Sequence, residues 1–501
     1  MNTFRGVNLR IQSGSKILLQ GLNLDLNAGE CLALVGESGS GKSLTALALM
    51  GLLPPGLEAV WQECSDSLSA KAMVFQEPMS ALNPTMRVGR QVAEAAESAL
   101  GLSRSAARDR ALEELRRVQL SDPEEVMRKY PHQLSGGQRQ RVMIAMAIAM
   151  DPQLLICDEP TTALDHQVAF EILGLLRVLQ RERGMAMLFI SHDWDAVAEV
   201  ADRVVVLRQG EVVESGSLEA LLNRPQQPYT RGLLASRPPE QGKPLRLPTV
   251  QDFLEGRMPE TAQRPVYAGG DVILKLRSLS KSYRAKAVLS DFDLELREGE
   301  TLGLVGASGS GKSTIARCLV GLEQPDGGEI TYRGTRIDRL SPKERRQYAR
   351  EIQYIFQDPF SSLPPRMRVG ELLEEPLVVH GLYKNSAQRK DRVTELLQSV
   401  GLAPEDAQKY PHEFSGGQRQ RIGIARALTL EPKLLICDES VSALDVSVQA
   451  QVLNLLNDLK DQFGFSYLFI SHDARVVRYM SDRTVELAAG NQQLATSYAS
   501  L

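Results

Sequence analysis

Two stretches of this chain set a lysine and a hydroxyl at the end of a glycine loop. Gly36 to Ser43 lies in VGESGSGKS and Gly306 to Ser313 in VGASGSGKS, and both fit GxxxxGK[ST]. Gly36, Gly39 and Gly41, with Ser38 between them, let backbone N–H groups converge on phosphate oxygens, and Gly306, Ser308, Gly309 and Gly311 repeat the pattern. The following helix N-terminus adds a favourable dipole. Lys42 and Lys312 would meet the outer phosphates, and Ser43 and Ser313 could bind magnesium. Asp158 and Asp438 each end the apolar run LLICD, where a carboxylate can hold magnesium, usually through water. Beside them Glu159 and Glu439 are placed to polarise a water for attack on a terminal phosphate. Gln76 and Gln357 could sense the metal or the water, and His192 and His472 could stabilise charge on the leaving phosphoryl group. Four of the six histidines (132, 192, 412 and 472) fall at repeat-matched positions, which favours a role for the last pair.

A second device accompanies each loop. KYPHQLSGGQRQR begins at Lys129 and KYPHEFSGGQRQR at Lys409. Ser135, Gly136, Gly137 and Gln138, like Ser415, Gly416, Gly417 and Gln418, combine a hydroxyl, approachable backbone N–H groups and a positive helix end, which together form an anion cradle. A unit that already owns a phosphate loop has no need of a second cradle unless it serves another nucleotide. Two domains packed head to tail would meet that need, each covering the other's nucleotide.

The elements that must position these residues occur twice. The glycine loops are 270 residues apart, FQEPMSALNP and FQDPFSSLPP 281, and LLICDEPTTALD and LLICDESVSALD 280, as are the two LFISHD runs. The first unit is therefore about eleven residues shorter between its loop and its Gln. Two long copies mean tandem domains rather than a solenoid. The boundaries read as 1–236 for the first, 237–270 for a Pro- and Gly-bearing linker with a short ordered piece around Thr249 to Leu254, and 271–501 for the second. Each unit reads as α/β. ECLALVG and ETLGLVG are short strands leading into the loops, and QLLICDE and MAMLFISHD are buried parallel strands ending in polar residues. SAARDRALEELRRVQL and AQRKDRVTELLQSV have helical spacing and form a helical insert.

Taken together, GxxxxGKS, the Gln motif, LSGGQ or FSGGQ, the run ending Asp-Glu, ALD and SHD resemble the ATP-binding-cassette ATPases over nearly the whole chain, twice. The resemblance implies two tandem P-loop nucleotide-binding domains, each with a parallel-sheet core, an antiparallel β edge and a helical insert, binding ATP and Mg2+. It implies two composite sites. Lys42, Ser43, Gln76, Asp158, Glu159 and His192 would face Ser415, Gly416, Gly417 and Gln418. Lys312, Ser313, Thr314, Gln357, Asp438, Glu439 and His472 would face Ser135, Gly136, Gly137 and Gln138. Asp165 and Asp445 would communicate across the interface. Tyr283 fits the aromatic that stacks on adenine, while the corresponding place in the first unit holds Ile11. FQEPMSALNPTMRVGRQVAE, FQDPFSSLPPRMRVGELLEEPL and PQQPYTRGLLAS resemble the dipeptide, oligopeptide and nickel import subfamily. That implies two membrane permease subunits and, through them, a substrate-binding protein as partners, with no direct cargo contact, on the cytoplasmic face of the bacterial inner membrane. The shorter first unit suggests a trimmed β edge.

The bulk properties agree. The 501 residues carry a net charge of -4 with both signs interspersed, which gives no electrostatic reason to expect nucleic acid. No window reaches the roughly 18 apolar residues of a membrane span, and the N-terminus has no apolar core of signal-peptide length, so the chain by itself is expected to be soluble and intracellular. The five cysteines never approach a CxxC spacing, and no cysteine cluster is expected. The competing reading is a soluble tandem-cassette ATPase acting on ribosomes or nucleic acid, which would call for a long charged helical linker and a basic surface. A regulatory nucleotide-binding protein without turnover is opposed by the intact Glu159 and Glu439.

Overall fold

The computed structural model describes residues 3–66, 68, 70–162, 164–257, 262–283, 286–307, 309–358, 362–442, 444–488 and 491–496. The chain divides into two units, Met1–Leu234 with Phe253–Glu255, and Ala235–Asp252 with Gly256–Leu501.

Each unit is built on a six-stranded sheet. In the first the order is Glu211–Ser217, Arg203–Arg208, Cys31–Val35, Ala186–Ile190, Leu154–Asp158, Lys71–Val74, parallel except for the outermost hairpin strand. The second repeats it as Asn491–Thr496, Arg483–Ala488, Thr301–Val305, Ser466–Ile470, Leu434–Asp438, Ile352–Ile355. The inner strands are short unbroken apolar runs because both faces are covered: Leu435 and Cys437 face the helices, Leu434 and Ile436 face the antiparallel sheet and the loop helix, and all five residues of Leu154–Asp158 and of Leu434–Asp438 are buried. Their carboxyl ends gather on one edge, where the polar residues begin.

An antiparallel sheet lies beside each core. Thr3–Ser13 pairs with Lys16–Asn27, and its alternating burial sends Leu9 and Ile11 inward. The eleven missing residues of the first unit are accounted for here. In the second unit Gly327–Tyr332 returns as Thr335–Arg336 and a ten-residue helix, Pro342–Glu351, follows. In the first, Glu58–Val60 and Glu63–Asp66 pair in turn with Thr3–Ser13, and the chain passes almost directly into Lys71–Val74. Trp61 fills the break between the two short strands, edge-on to Phe4 with ring centroids 5.4 Å apart.

The helical inserts start where a side chain can satisfy free backbone N–H groups. Ser103 caps Arg104–Arg117 by accepting from Ala106 N–H, and Asn385 caps Ser386–Ser399 by accepting from Gln388 N–H. The first insert is locked to the core by Glu114, fully buried, whose two oxygens take Arg183 Nη2 at 2.6 and 2.7 Å.

Residues 237–252, with 256–257 and 262–270, belong to the second unit, where they lie as a strap. Leu247 offers its N–H to Asn454 Oδ1 at 2.9 Å and receives Asn454 Nδ2 on its carbonyl at 2.8 Å, so one buried side chain imitates a strand pairing. Arg246 pairs with Asp458, Arg264 with Asp461 and Glu240 with Arg475. A short helix, Val250–Leu254, follows Thr249, whose N–H and hydroxyl both donate to Asp252 Oδ2. Among the described residues no helix is long and apolar enough to cross a membrane.

Candidate functional site

The loop from Gly36 to Ser43 follows the strand Cys31–Val35 and opens the helix Lys42–Met50; Gly306 to Ser313 stands likewise between Thr301–Val305 and Lys312–Val320. Ser308 lies outside the described residues. Gly41 and Gly311 hold φ of 104° and 110°, left-handed values that a side chain would strain. Lys42 is buried and donates to the Gly36 and Glu37 carbonyls at 2.7 and 3.0 Å, and Lys312 does the same to Gly306 and Ala307 at 2.6 and 2.9 Å. Ser40 and Ser310 each bury a hydroxyl oxygen that has no hydrogen-bond partner among the described residues. A buried ammonium and an orphaned hydroxyl in each loop suit an incoming phosphate.

The remaining groups arrive from neighbouring strand ends. Ser43 Oγ donates to Asp158 Oδ1 at 3.1 Å, and Ser313 Oγ to Asp438 Oδ1 at 3.1 Å. Burial raises the pKa of both aspartates, partly offset by those hydroxyls. A hydroxyl and a carboxylate side by side are hard oxygen donors that fit magnesium, whose remaining positions water and phosphate would fill.

Glu159 and Glu439 sit at φ of 46° and 48°, an uncommon conformation for a side-chain-bearing residue. Their N–H groups donate to Ile190 and Ile470 carbonyls at 2.9 Å, so the sheet itself holds the strained residue in place. Gln76 Nε2 reaches Glu159 Oε2 at 3.1 Å and His192 Nδ1 reaches Oε1 at 3.1 Å; in the second unit Gln357 Nε2 and His472 Nδ1 reach Glu439 at 2.7 and 3.5 Å. Burial would raise the Glu159 pKa, but hydrogen bonds and charge from His192, Thr162 and Lys42 outweigh it and the net shift is down. For Glu439 the bond from His472 is the largest influence and lowers it; in return Glu439 raises His472. Each carboxylate is thus held ionised, as a water-polarising group must be.

The SGGQ residues stand elsewhere in each unit, at the start of Gly136–Ala149 and of Gly416–Leu428. Ser135 Oγ accepts from Gln138 N–H at 3.3 Å while Gln138 Oε1 accepts from Ser135 N–H at 3.0 Å, a reciprocal cap that Ser415 and Gln418 repeat. A Cβ on Gly137 would come within 2.6 Å of Val168, and one on Gly417 within 2.3 Å of Val448. The second glycine therefore seats the helix that Asp165 begins against the SGGQ helix; Asp165 caps that helix by accepting from Val168 N–H at 3.1 Å.

One expectation is corrected. Tyr283 pairs with Lys286 at the mouth of its hairpin, and the matching pair in the first unit is Ser13 with Lys16. Ile11, paired with Leu19, is wholly buried and is not the residue matched to Tyr283. Ser13 holds that place in the first unit, while the Tyr283 ring is 39% exposed with Lys281 Nζ 5.6 Å from its centroid.

Comparison with known proteins adds the decisive observation. The family model described as ABC transporter matches residues 19–162 and again 289–442. The chain belongs to the ABC transporter family. This ABC transporter chain is 46% identical to "Glutathione import ATP-binding protein GsiA" of Escherichia coli O6:H1 over 94% of its length and 82% of the relative's, and 45% identical to that of strain K12 with the same coverage. A solved dimeric cassette, MJ0796 bound to ADP and Pi, is 29% identical and covers 46% of this chain and all of its own, with a TM-score of 0.42. As a member of its family the chain binds ATP and is an ATP hydrolase whose turnover is coupled to transport.

Three side chains at these candidate sites went unread in the sequence. Tyr354 donates its hydroxyl to Asp438 Oδ2, whereas Met73 holds the matching place beside Asp158. Thr162 Oγ1 donates to Glu159 Oε2 at 2.9 Å, but the matched Ser442 turns to the Glu439 backbone carbonyl instead. Tyr229, in PQQPYTRGLLAS, donates to Glu37 Oε2 at 3.2 Å and accepts from Glu37 N–H at 3.3 Å, so it braces the first phosphate loop. The offsets between the repeats would have flagged the first two as mismatched pairs.

Proposed function

We propose that this chain is the ATP-hydrolysing subunit of a membrane importer of the peptide and nickel type, with small peptides of the glutathione class as cargo. The cargo reading rests on the import function named for the relatives. ATP with Mg2+ would occupy two composite sites, each glycine loop of one cassette facing the SGGQ cradle of the other. Lys42, Ser43, Gln76, Asp158, Glu159 and His192 would work with Ser415, Gly417 and Gln418, and the second cassette's set with Ser135, Gly137 and Gln138. The observation that carries this reading is the paired arrangement: each cassette holds one complete loop, metal and base constellation and, apart from it, one preformed helix-end cradle. ATP binding would close the two cassettes, two permease subunits would switch access for a substrate-binding protein, and hydrolysis would reopen them. The chain itself would bind peripherally to the cytoplasmic face of the inner membrane.

The deciding experiment is purification of the Glu159→Gln, Glu439→Gln form from its native membrane in mild detergent with ATP. Two polytopic membrane proteins co-eluting is the expected result. Ribosomal proteins or nucleic acid in their place would overturn it in favour of a soluble tandem-cassette ATPase.

A further inference from the structure

Arg141 and Arg421 end the two SGGQRQR stretches and both reach the carbonyl that closes the insert helix, Val118 at 2.9 Å and Val400 at 3.0 Å. Their second partner differs. Arg141 Nη2 donates to the Glu171 carboxylate at 3.0 Å, whereas Arg421 Nη2 donates to the neutral Gln451 Oε1 at 3.0 Å. The repeat has exchanged a counter-charge for an amide. Among the described residues no carboxylate pairs with Arg421, and burial alone acts on its pKa, pressing it down. A guanidinium stays protonated even so, which leaves a half-buried cation without a counter-ion.

This cation lies on the wall of a cleft of about 770 Å³ between the strap and the second cassette, in the size range of small-molecule sites. Across from it stand Arg246 and Arg257 on the strap, paired with Asp458 and Asp252. Three arginines against two aspartates leave the lining with a net charge of +1, and the unbalanced charge is that of Arg421. Thr249, Gln398 and Ser399 add neutral hydrogen-bonding groups.

We propose that this cleft binds a small oxyanion, the carboxylate or phosphate group of a metabolite, with Arg421 as its anchor and the strap closing over it. The chemistry is that of a guanidinium fork on a planar or tetrahedral oxyanion. Such a ligand would tie residues 246–252 and Arg257 to the rest of the second unit, beyond anything ATP binding requires.

Equilibrium dialysis of the full chain tests this, with both glycine loops saturated by a non-hydrolysable ATP analogue and magnesium. The probes are labelled inorganic phosphate and, separately, labelled succinate. One probe molecule per chain is expected for at least one of them, and which one binds tells a phosphate ligand from a carboxylate. Gln451→Glu rebuilds the ion pair of the first cassette without removing a packing contact, and should weaken binding by at least about tenfold. Absence of binding by the unaltered chain, or equal binding by the Gln451→Glu form, overturns the proposal.

Discussion

At the scale of single residues the two candidate ATP sites share a plan but not every contact. Tyr283 offers the second site a flat exposed ring, while Ser13 offers the first no aromatic surface. Stacking of a base on an aromatic side chain contributes about 1–3 kcal/mol. The Lys312→Ala protein, which relies on the first site, should therefore bind ATP about tenfold more weakly than the Lys42→Ala protein. Competition binding measures this, and equal affinities would sink the argument. The Glu439–His472 pair gives a pH prediction. His472 is raised above its ordinary 6.5 by Glu439, so its contribution is complete below about that pH and is lost as pH rises through the higher folded value. Glu439 is lowered below 4.5, so its contribution is complete above that value and is lost as pH falls through the folded one. The contact is thus fully made between about pH 4.5 and 6.5. Histidine NMR on the nucleotide-free protein should place the His472 midpoint above 6.5, and Glu439→Gln should bring it down.

Elements are held by a few buried polar contacts that periodicity does not announce. Glu114 looks like any acidic residue of a surface helix, yet it is fully buried against Arg183. Without Glu114, Arg183 would keep only Asp151 and the Ile148 carbonyl as partners, so Glu114→Ala should destabilise the first unit by about 1.5–3 kcal/mol, read as the shift of that unit's denaturant transition. Asn454→Leu should free the strap, because Leu247 would keep a buried N–H and carbonyl without partners. Limited trypsin digestion reports it: cleavage at Arg246 and Arg257 should quicken while the cassettes stay intact, and an unchanged digestion pattern would show that the strap is held by other contacts.

For the whole molecule, turnover is the quantity that joins the sites. Replacing both Glu159 and Glu439 with Gln should lower ATP hydrolysis at least about a hundredfold while ATP still binds, the loss expected when a positioned base is removed; unchanged activity would move the chemistry to another group. Legible in the chain before any contact between distant segments was known were the duplicated α/β plan and the loop lysines, strand-end carboxylates and SGGQ stretches. Those choices are local: a glycine at a left-handed turn such as Gly41, an apolar run such as LLICD and a helix cap such as Ser135 depend on a few neighbouring residues. Only the folded chain showed that Ile11 points into the core, that Tyr354 bonds to Asp438 and Tyr229 to Glu37, and that the strap is held at Leu247 by Asn454. Each of these depends on register or on contacts between segments tens to hundreds of residues apart. A two-residue displacement along a strand keeps the residue on the same face but carries it from the hairpin mouth into the core, which is why Ile11 and Ser13 could be told apart only once the strands had paired.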